Sequence, residues 1–379
     1  MSCFKQLYDA SAQLLAIACA LTCLNSTSTR AADPEAATEW DRLSGNAIQS
    51  MRANDLPAAV RFCNRAMVLA ATFGPTDTHY SRSQVLRAEI YLWENKYDAA
   101  EQLFKEAVVT CEKAVGTNSL ELVHPLSSLA NYYYYVSPHL DRVATLFERI
   151  LRIVESAPTS QLRDRIMWSR NLGKVYQEMK NYARAEPLFK RAVALCEKQD
   201  AEWLPYELLT SADFYRDWGK TRRAESLARR ALKIREKALP TGGVDAQIGV
   251  TVCLANLGAT ALAAHKPKAA EAYFRRSLGI LEKAMPEESE LIPHEVGLAE
   301  ALGAQRQFEE AARLYERALA IAGKNQIAES REIAGVLEKY GALLQEANRT
   351  EDAQERFAKA KAIRTQLEAS AARSPGGMP

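Results

Sequence analysis

The sequence predicts an all-α fold, a right-handed α-solenoid of about eight antiparallel helix pairs. Composition is the first reason. The 379 residues are 47% hydrophobic and 25% charged, with only 17 Gly and 14 Pro, and the abundant Ala, Leu, Glu, Lys and Arg favour helix, while no long alternating run suggests a sheet. A period is the second. A small residue at Ala59, Ala100, Val143, Ala185, Ala224, Ala270, Ala311 and Ala353 recurs every 39 to 46 residues, 42 on average. Bulky residues stand mostly four positions after each of these anchors (Phe104, Phe147, Phe189, Phe274, Tyr315, Phe357) and small ones mostly seven after (Ala66, Ala107, Ala192, Ala231, Ser277, Ala318, Ala360). Spacings of three, four and seven mark one helix face. The third reason is a second pattern before each anchor, small at minus 12 (Ala47, Ala88, Asn131, Gly173, Ala212, Gly258, Ala299, Gly341) and mostly large at minus nine (Tyr91, Tyr134, Tyr176, Tyr215, Leu302, Leu344).

In chain order, the first element is a leader. Residues 14–24, LLAIACALTCL, form an uncharged run of 11, shorter than the roughly 20 residues that span a bilayer but long enough for the apolar core of an export signal. Thr29 and Ala31 supply small residues at minus three and minus one for a cut after Ala31. Residues 1–31 are therefore expected to be a signal peptide on an exported protein, periplasmic or extracellular; the alternative is a leader on a cytoplasmic one. Lipidation at Cys19 or Cys23 would lack the usual Leu three residues earlier, and membrane attachment is expected only through such an anchor. A linker follows over 32–37.

The solenoid is expected over 38–368. Polar turns such as Asn95-Lys96, Lys180-Asn181, Gly219-Lys220-Thr221 and Asn348-Arg349 reverse the chain between the two helices of each pair. One pair cannot cover both its faces, so stacked pairs share a continuous core. The first pair departs from the pattern at Ser50 and the fifth at Ala228. The stretch from Leu239, LPTGG, predicts an enlarged turn, and Arg356 in the last pair predicts a helix facing water. Residues 369–379 are expected to be a disordered tail.

Leu172-Gly173, Tyr176, Tyr182, Ala185, Leu188-Phe189 and Ala192 together resemble the tetratricopeptide repeat. The 42-residue period, with Arg230 to Lys237 (RALKIREK) and Val123-His124-Pro125, resembles its kinesin-light-chain-like subclass. The resemblance implies a non-enzymatic scaffold or adaptor that holds a segment of a partner protein in a groove lined by the first helix of each pair. The family includes a carboxyl-terminus clamp built on Lys, Arg and Asn, whose asparagines Asn171 and Asn256, both 14 before an anchor, resemble; an asparagine capping or bonding within its own repeat is the preferred reading of both. The full set of basic clamp residues is not present in order.

Positions minus 15, minus 11 and minus eight should face that groove. In the third to fifth pairs they read Ser128, Tyr132, Tyr135; Arg170, Lys174, Gln177; and Leu209, Asp213, Arg216. Four consecutive tyrosines, Tyr132 to Tyr135, cannot all point inward, since successive helical residues turn by about 100 degrees; Tyr134 is assigned to packing, Tyr132 and Tyr135 to the groove. Tyr132, Tyr135, Arg170, Asn171, Lys174 and Arg216 are the candidate partner-binding residues, suited to a segment with an acidic residue beside an apolar one.

No motif declares a reaction, a metal or a cofactor. Gly219-Lys220-Thr221 lacks the earlier Gly of a phosphate loop, since Phe214 stands there, and His294-Glu295 lacks a second His at residue 298, which is Leu. A formal charge of +2 gives no general reason to expect nucleic acid. Two other function classes remain compatible: a cell-envelope assembly or structural factor, and a regulatory subunit of a separately encoded enzyme.

Overall fold

A computed structural model describes residues 33–199, 202–239, 243–285 and 289–373. Within these the protein is all-α: sixteen α-helices and two short 3-10 turns, in eight consecutive helix pairs. The pairs are α1 (Pro34–Arg52) and α2 (Leu56–Ala70), α3 (His79–Trp93) and α4 (Tyr97–Val115), α5 (Val123–Tyr135) and α6 (Leu140–Ser156), and α7 (Leu162–Glu178) and α8 (Tyr182–Gln199). They continue with α9 (Leu204–Asp217) and α10 (Thr221–Ala238), α11 (Gly243–Ala263) and α12 (Pro267–Ala284), α13 (Ile292–Gly303) and α14 (Phe308–Lys324), and α15 (Arg331–Glu346) and α16 (Thr350–Arg373). The chain divides into two compact units, one ending at Ala185 and the other running from Glu186 to Ala369.

The predicted boundaries move at both ends. Helix begins at Pro34, not Thr38, because Asp33 accepts the Glu35 N–H at 3.2 Å and Pro34 stands in the first turn, a cap and starter that the expected linker 32–37 overlooked. At the other end α16 continues through 369–373. The leader 1–31 lies outside the described residues. LPTGG lies partly outside them too, but the extra length of that repeat goes into α11, 21 residues long, as much as into a turn.

All eight anchors are buried. So are the small residues seven positions later, and the bulky residue between them is buried in every pair but the last, where Phe357 is 36% exposed. Arg356 does not simply face water: its guanidinium lies 5.4 Å from the centre of the Tyr340 ring. The helix-to-helix turns share one device. In seven pairs the residue five before the anchor has a left-handed backbone: Asn54, Asn95, Lys180, Gly219, His265, Arg306 and Asn348. The N–H one residue later then reaches the carbonyl at minus nine, as Lys96 does to Tyr91 (2.8 Å) and Asn181 to Tyr176 (2.8 Å). Only the Gly, and to a lesser degree the Asn residues, adopt this conformation cheaply.

Successive pairs are latched by a recurring polar contact. Tyr133 donates to Glu101 (2.8 Å), Tyr215 to Glu186 (2.9 Å), Tyr340 to Glu316 (2.9 Å) and Tyr176 to Glu148. In each case the carboxylate belongs to the second helix of one pair and the tyrosine to the first helix of the next. An arginine just before the next anchor closes three of these. Arg142, Arg184 and Arg223 lie 3.4, 3.3 and 2.8 Å from Glu101, Glu148 and Glu186, with guanidinium carbons 4.9, 4.8 and 5.5 Å from the Tyr133, Tyr176 and Tyr215 rings. The exposed ion pairs contribute about 0.2–1 kcal/mol each, so their effect is mainly to fix register while apolar burial supplies stability.

Cys63, Cys111, Cys196 and Cys253 are buried and outside any disulfide, one in each of four pairs. Burial pushes the Cys63 thiol up to about 12 and that of Cys253 up to about 11, which suppresses the reactive thiolate. On a chain beginning at Ala32, a thiol reagent at about pH 8 should label none of the four until the protein is unfolded, and then all four. Fast labelling of the native chain, or a mass lower by two protons, would contradict this packing.

Candidate functional site

Of the residues expected in a groove, Tyr132, Tyr135, Arg170, Asn171 and Lys174 lie in the first unit, on α5 and α7, and Arg216 lies in the second, on α9. Tyr132 is not at the surface. It is 4% exposed, its ring 6.1 Å from Phe104 and 5.5 Å from Tyr133, and burial pushes its phenol up to about 12. The physical reason is a slip of one residue. Pro138 occupies the turn position that is left-handed elsewhere, and a proline ring cannot adopt that conformation. Here His139 N–H therefore reaches Tyr133 O (2.9 Å), ten before the anchor instead of nine. Every position on α5 shifts accordingly: Ala130 takes the small buried place given to Asn131, and Tyr133 the latch place given to Tyr134. The corrected outward stripe is Ser127, Asn131 and Tyr134. Ser127 is itself buried, while Tyr134 is half-buried, donates to Glu178 and meets Tyr135 edge-on at 4.7 Å.

On α7, Lys174 is exposed and Arg170 half-buried. Asn171 is 8% exposed, with its Nδ2 atom lacking a hydrogen-bond partner, so it neither caps its own repeat through that atom nor stands open on the surface. In the second unit Arg216 Nη1 is held 2.7 Å from Asp213 Oδ1, which also accepts Asn256 Nδ2 at 2.7 Å. Both Arg216 and the other clamp-like asparagine are thus engaged with Asp213. Burial raises the pKa of that carboxyl, opposed by Arg216.

The Asp213–Asn256 bond fixes α9 beside α11, and the outward face of these two helices is apolar. Trp203, just before α9, is 40% exposed, Tyr206 45%, Val244 47% and Val252 48%. Between them stand the half-buried Leu209, Ile248, Ala255, Ala259 and Leu262. On α11 the residues 245, 248, 252, 255, 259 and 262 follow helical spacing along one stripe, and Asp245 is the only charged residue of that helix. By length and composition α11 could cross a membrane, although half of its apolar window is buried within the protein. The expected groove positions included Leu209, Ala255, Ala259 and Leu262 but stopped short of Tyr206 and Val252, one turn earlier. The near absence of charge in α11 was the available signal. A separate open cavity of about 430 Å³ lies between α8, α9 and α10, lined by Val193, Ala194, Ser211, Tyr215 and Leu227 with Lys190 at its edge. It adjoins the Tyr215–Glu186 latch.

Helix pairs of this length, with a small residue at each crossing and a large one at minus nine, are matched by three tetratricopeptide-repeat family profiles, over residues 166–237, 87–121 and 296–329. The chain is a tetratricopeptide-repeat protein. Its fold is similar to the apo form of RapI, at 12% identity over 76% of this chain and 99% of that one, with a TM-score of 0.54. A tetratricopeptide repeat protein from Parabacteroides merdae ATCC 43184 aligns at 14% identity over 81% and 99% of the two chains, with a TM-score of 0.50. BtubC (BKLC) from P. vanneervenii aligns at 21% identity over 60% and 92%, with a TM-score of 0.49. No curated protein matches by sequence. At these identities the likeness of this tetratricopeptide-repeat protein to solved structures concerns the fold alone.

Proposed function

We propose that this tetratricopeptide-repeat protein is a non-enzymatic interaction scaffold that holds a segment of a partner protein on the first-helix face of its repeats. The supporting observation is the apolar stripe of α9 and α11, where four large hydrophobic side chains, Trp203, Tyr206, Val244 and Val252, are each at least 40% exposed. Aromatic and branched residues gathered on one face are the composition of a binding surface. A photo-crosslinking residue in place of Val252 should capture one protein in stoichiometric yield in cells, whereas the same residue in place of Val68, 72% exposed on the second helix α2, should not. Capture at Val68 alone would reject the reading. The apolar leader and the small residues at Thr29 and Ala31 support export with cleavage after Ala31. An intact Met1 on the mature protein would rule that out.

A further inference from the structure

We infer that the partner segment of the α9–α11 face is apolar on one side and carries lysine or arginine along its flank. This rests on the scaffold reading above and adds the chemistry of the occupant. The apolar requirement comes from the stripe Tyr206, Leu209, Val252, Ala255 and Ala259, which presents mostly carbon over several helical turns. The charge requirement comes from what borders it. On α9 and the turn before it stand Glu202, Asp213 and Asp217, and Asp245 opens α11. The other carboxylate there, Glu207, is fully buried. Against these acids the two helices offer one base, Arg216, and it is held by Asp213 at 2.7 Å.

The helical period places Glu202 and Asp245 at the leading ends of the two apolar runs, while Asp213, at the far end of the α9 run, is engaged by Arg216 and Asn256. Glu202, Tyr206, Leu209 and Asp213 follow one another at intervals of four, three and four, and Asp245, Ile248, Val252 and Ala255 at intervals of three, four and three. An incoming acidic segment would meet the like charge of Glu202 and Asp245 at that end. A basic one finds carboxylates there and carbon beyond them, and such complementarity governs orientation and rate of encounter as well as choice of partner.

The test uses the whole chain from Ala32 and three fluorescein-labelled helical peptides with the same leucine face, flanked by lysine, serine or glutamate. The lysine peptide should bind about tenfold more tightly than the glutamate peptide at low salt, with serine between, and the difference should shrink as salt is added. Val252→Asp, a change at an exposed position, should abolish binding of all three with helicity unchanged by circular dichroism. Glu202→Lys combined with Asp245→Lys should reverse the lysine–glutamate order while leaving the serine peptide unaffected. If glutamate is preferred, or no order is seen, the inference about charge fails while the docking face stands. If no peptide binds, or Val252→Asp binds them all as well as the parent, the docking face itself fails. Neutral phosphatidylcholine vesicles binding where the peptides do not would make the face a membrane contact. Self-association abolished by Val252→Asp would make it an interface between copies. Either outcome overturns the inference.

Discussion

Phe274→Ala should destabilise the second unit by about 3–5 kcal/mol, toward the upper end of what a buried phenylalanine costs when truncated. Phe274 is 3% exposed and lies between two glycines: a Cβ added at Gly258 would fall 2.6 Å from its ring, and one at Gly297 only 2.3 Å. The ring therefore touches backbone on both sides. Neither glycine has a side chain that could swing into the vacated space, and α11 and α13 would have to move as whole helices to close it, which keeps the cavity term large. Phe357 occupies the equivalent place in the last pair, but it is 36% exposed and meets one glycine, Gly341, at 2.8 Å. Phe357→Ala should cost about 1 kcal/mol, in line with a partly solvated site. Urea titration read by hydrogen exchange, within α11–α14 for Phe274→Ala and within α15–α16 for Phe357→Ala, compares the two and avoids assuming that the whole chain unfolds in one step. Equal losses would show that the paired glycines do not hold the ring as described.

Glu295→Gln should stabilise the protein above neutral pH and leave it unchanged in acid. The Glu295 side chain on α13 is fully buried. Arg317 Nε from α14 is 2.9 Å from its Oε1 atom, but neither carboxylate oxygen has a well-formed hydrogen bond. The arginine is shared, since its Nη1 lies 2.7 Å from Glu282 on α12. Burial pushes the Glu295 carboxyl up to about 7; Arg317 opposes that and Glu282 adds to it. The sign follows from linkage. An acid whose folded pKa lies above its unfolded value costs nothing when protonated in both states, and the protein loses stability as pH rises from about 4.5 toward 7. Glutamine mimics the protonated form at every pH, and Arg317 keeps Glu282. The variant should gain up to about 3 kcal/mol over the parent above about pH 7, with no difference near pH 4. The neighbouring His294, bonded to Ser277 at 2.8 Å and pushed down to about 4 by burial, titrates in both proteins and cancels. A variant less stable than the parent at high pH would mean that the Glu295–Arg317 attraction outweighs the burial of the carboxylate.

The repeat itself was fully legible, because small residues at a helix crossing and bulky ones four positions on are required by close packing whatever the surface does. Ala59 through Ala353 are buried without exception for that reason. What the period could not convey was its own interruption. The frame placed Tyr132 outside and Tyr134 inside by counting back from Val143. Pro138 added one residue to the turn, and the count was off by one through the whole of α5. The slip was visible in Ala130, a small residue one place before the expected Asn131. For Arg216 the stripe did not convey its engagement: Asp213 three residues earlier on the same helix takes up its charge, as the spacing of three allows. Tyr206 and Val252 escaped because the outward stripe was followed for two turns instead of three.

The latch between pairs has a direction, and its parts are missing from the outer faces of the first and last described pairs. Each latch takes its carboxylate from one pair and its tyrosine, in three cases with an arginine, from the next, so the two faces of a pair are unlike, and identical modules joined this way could add head to tail without limit. The first described pair carries Ser50 where the tyrosine would be and Ala58 where the arginine would be. The last carries Gln354 and Ala358 at the two places from which other second helices extend glutamate. A second copy offered end to end thus finds neither the tyrosine and arginine of the latch on one side nor its glutamate on the other. The half-exposed Arg356 and exposed Phe357 add a cation and an edge where a flat apolar face would be needed. Among the described residues, the contact that orders the interior is therefore not offered again at the two outer faces.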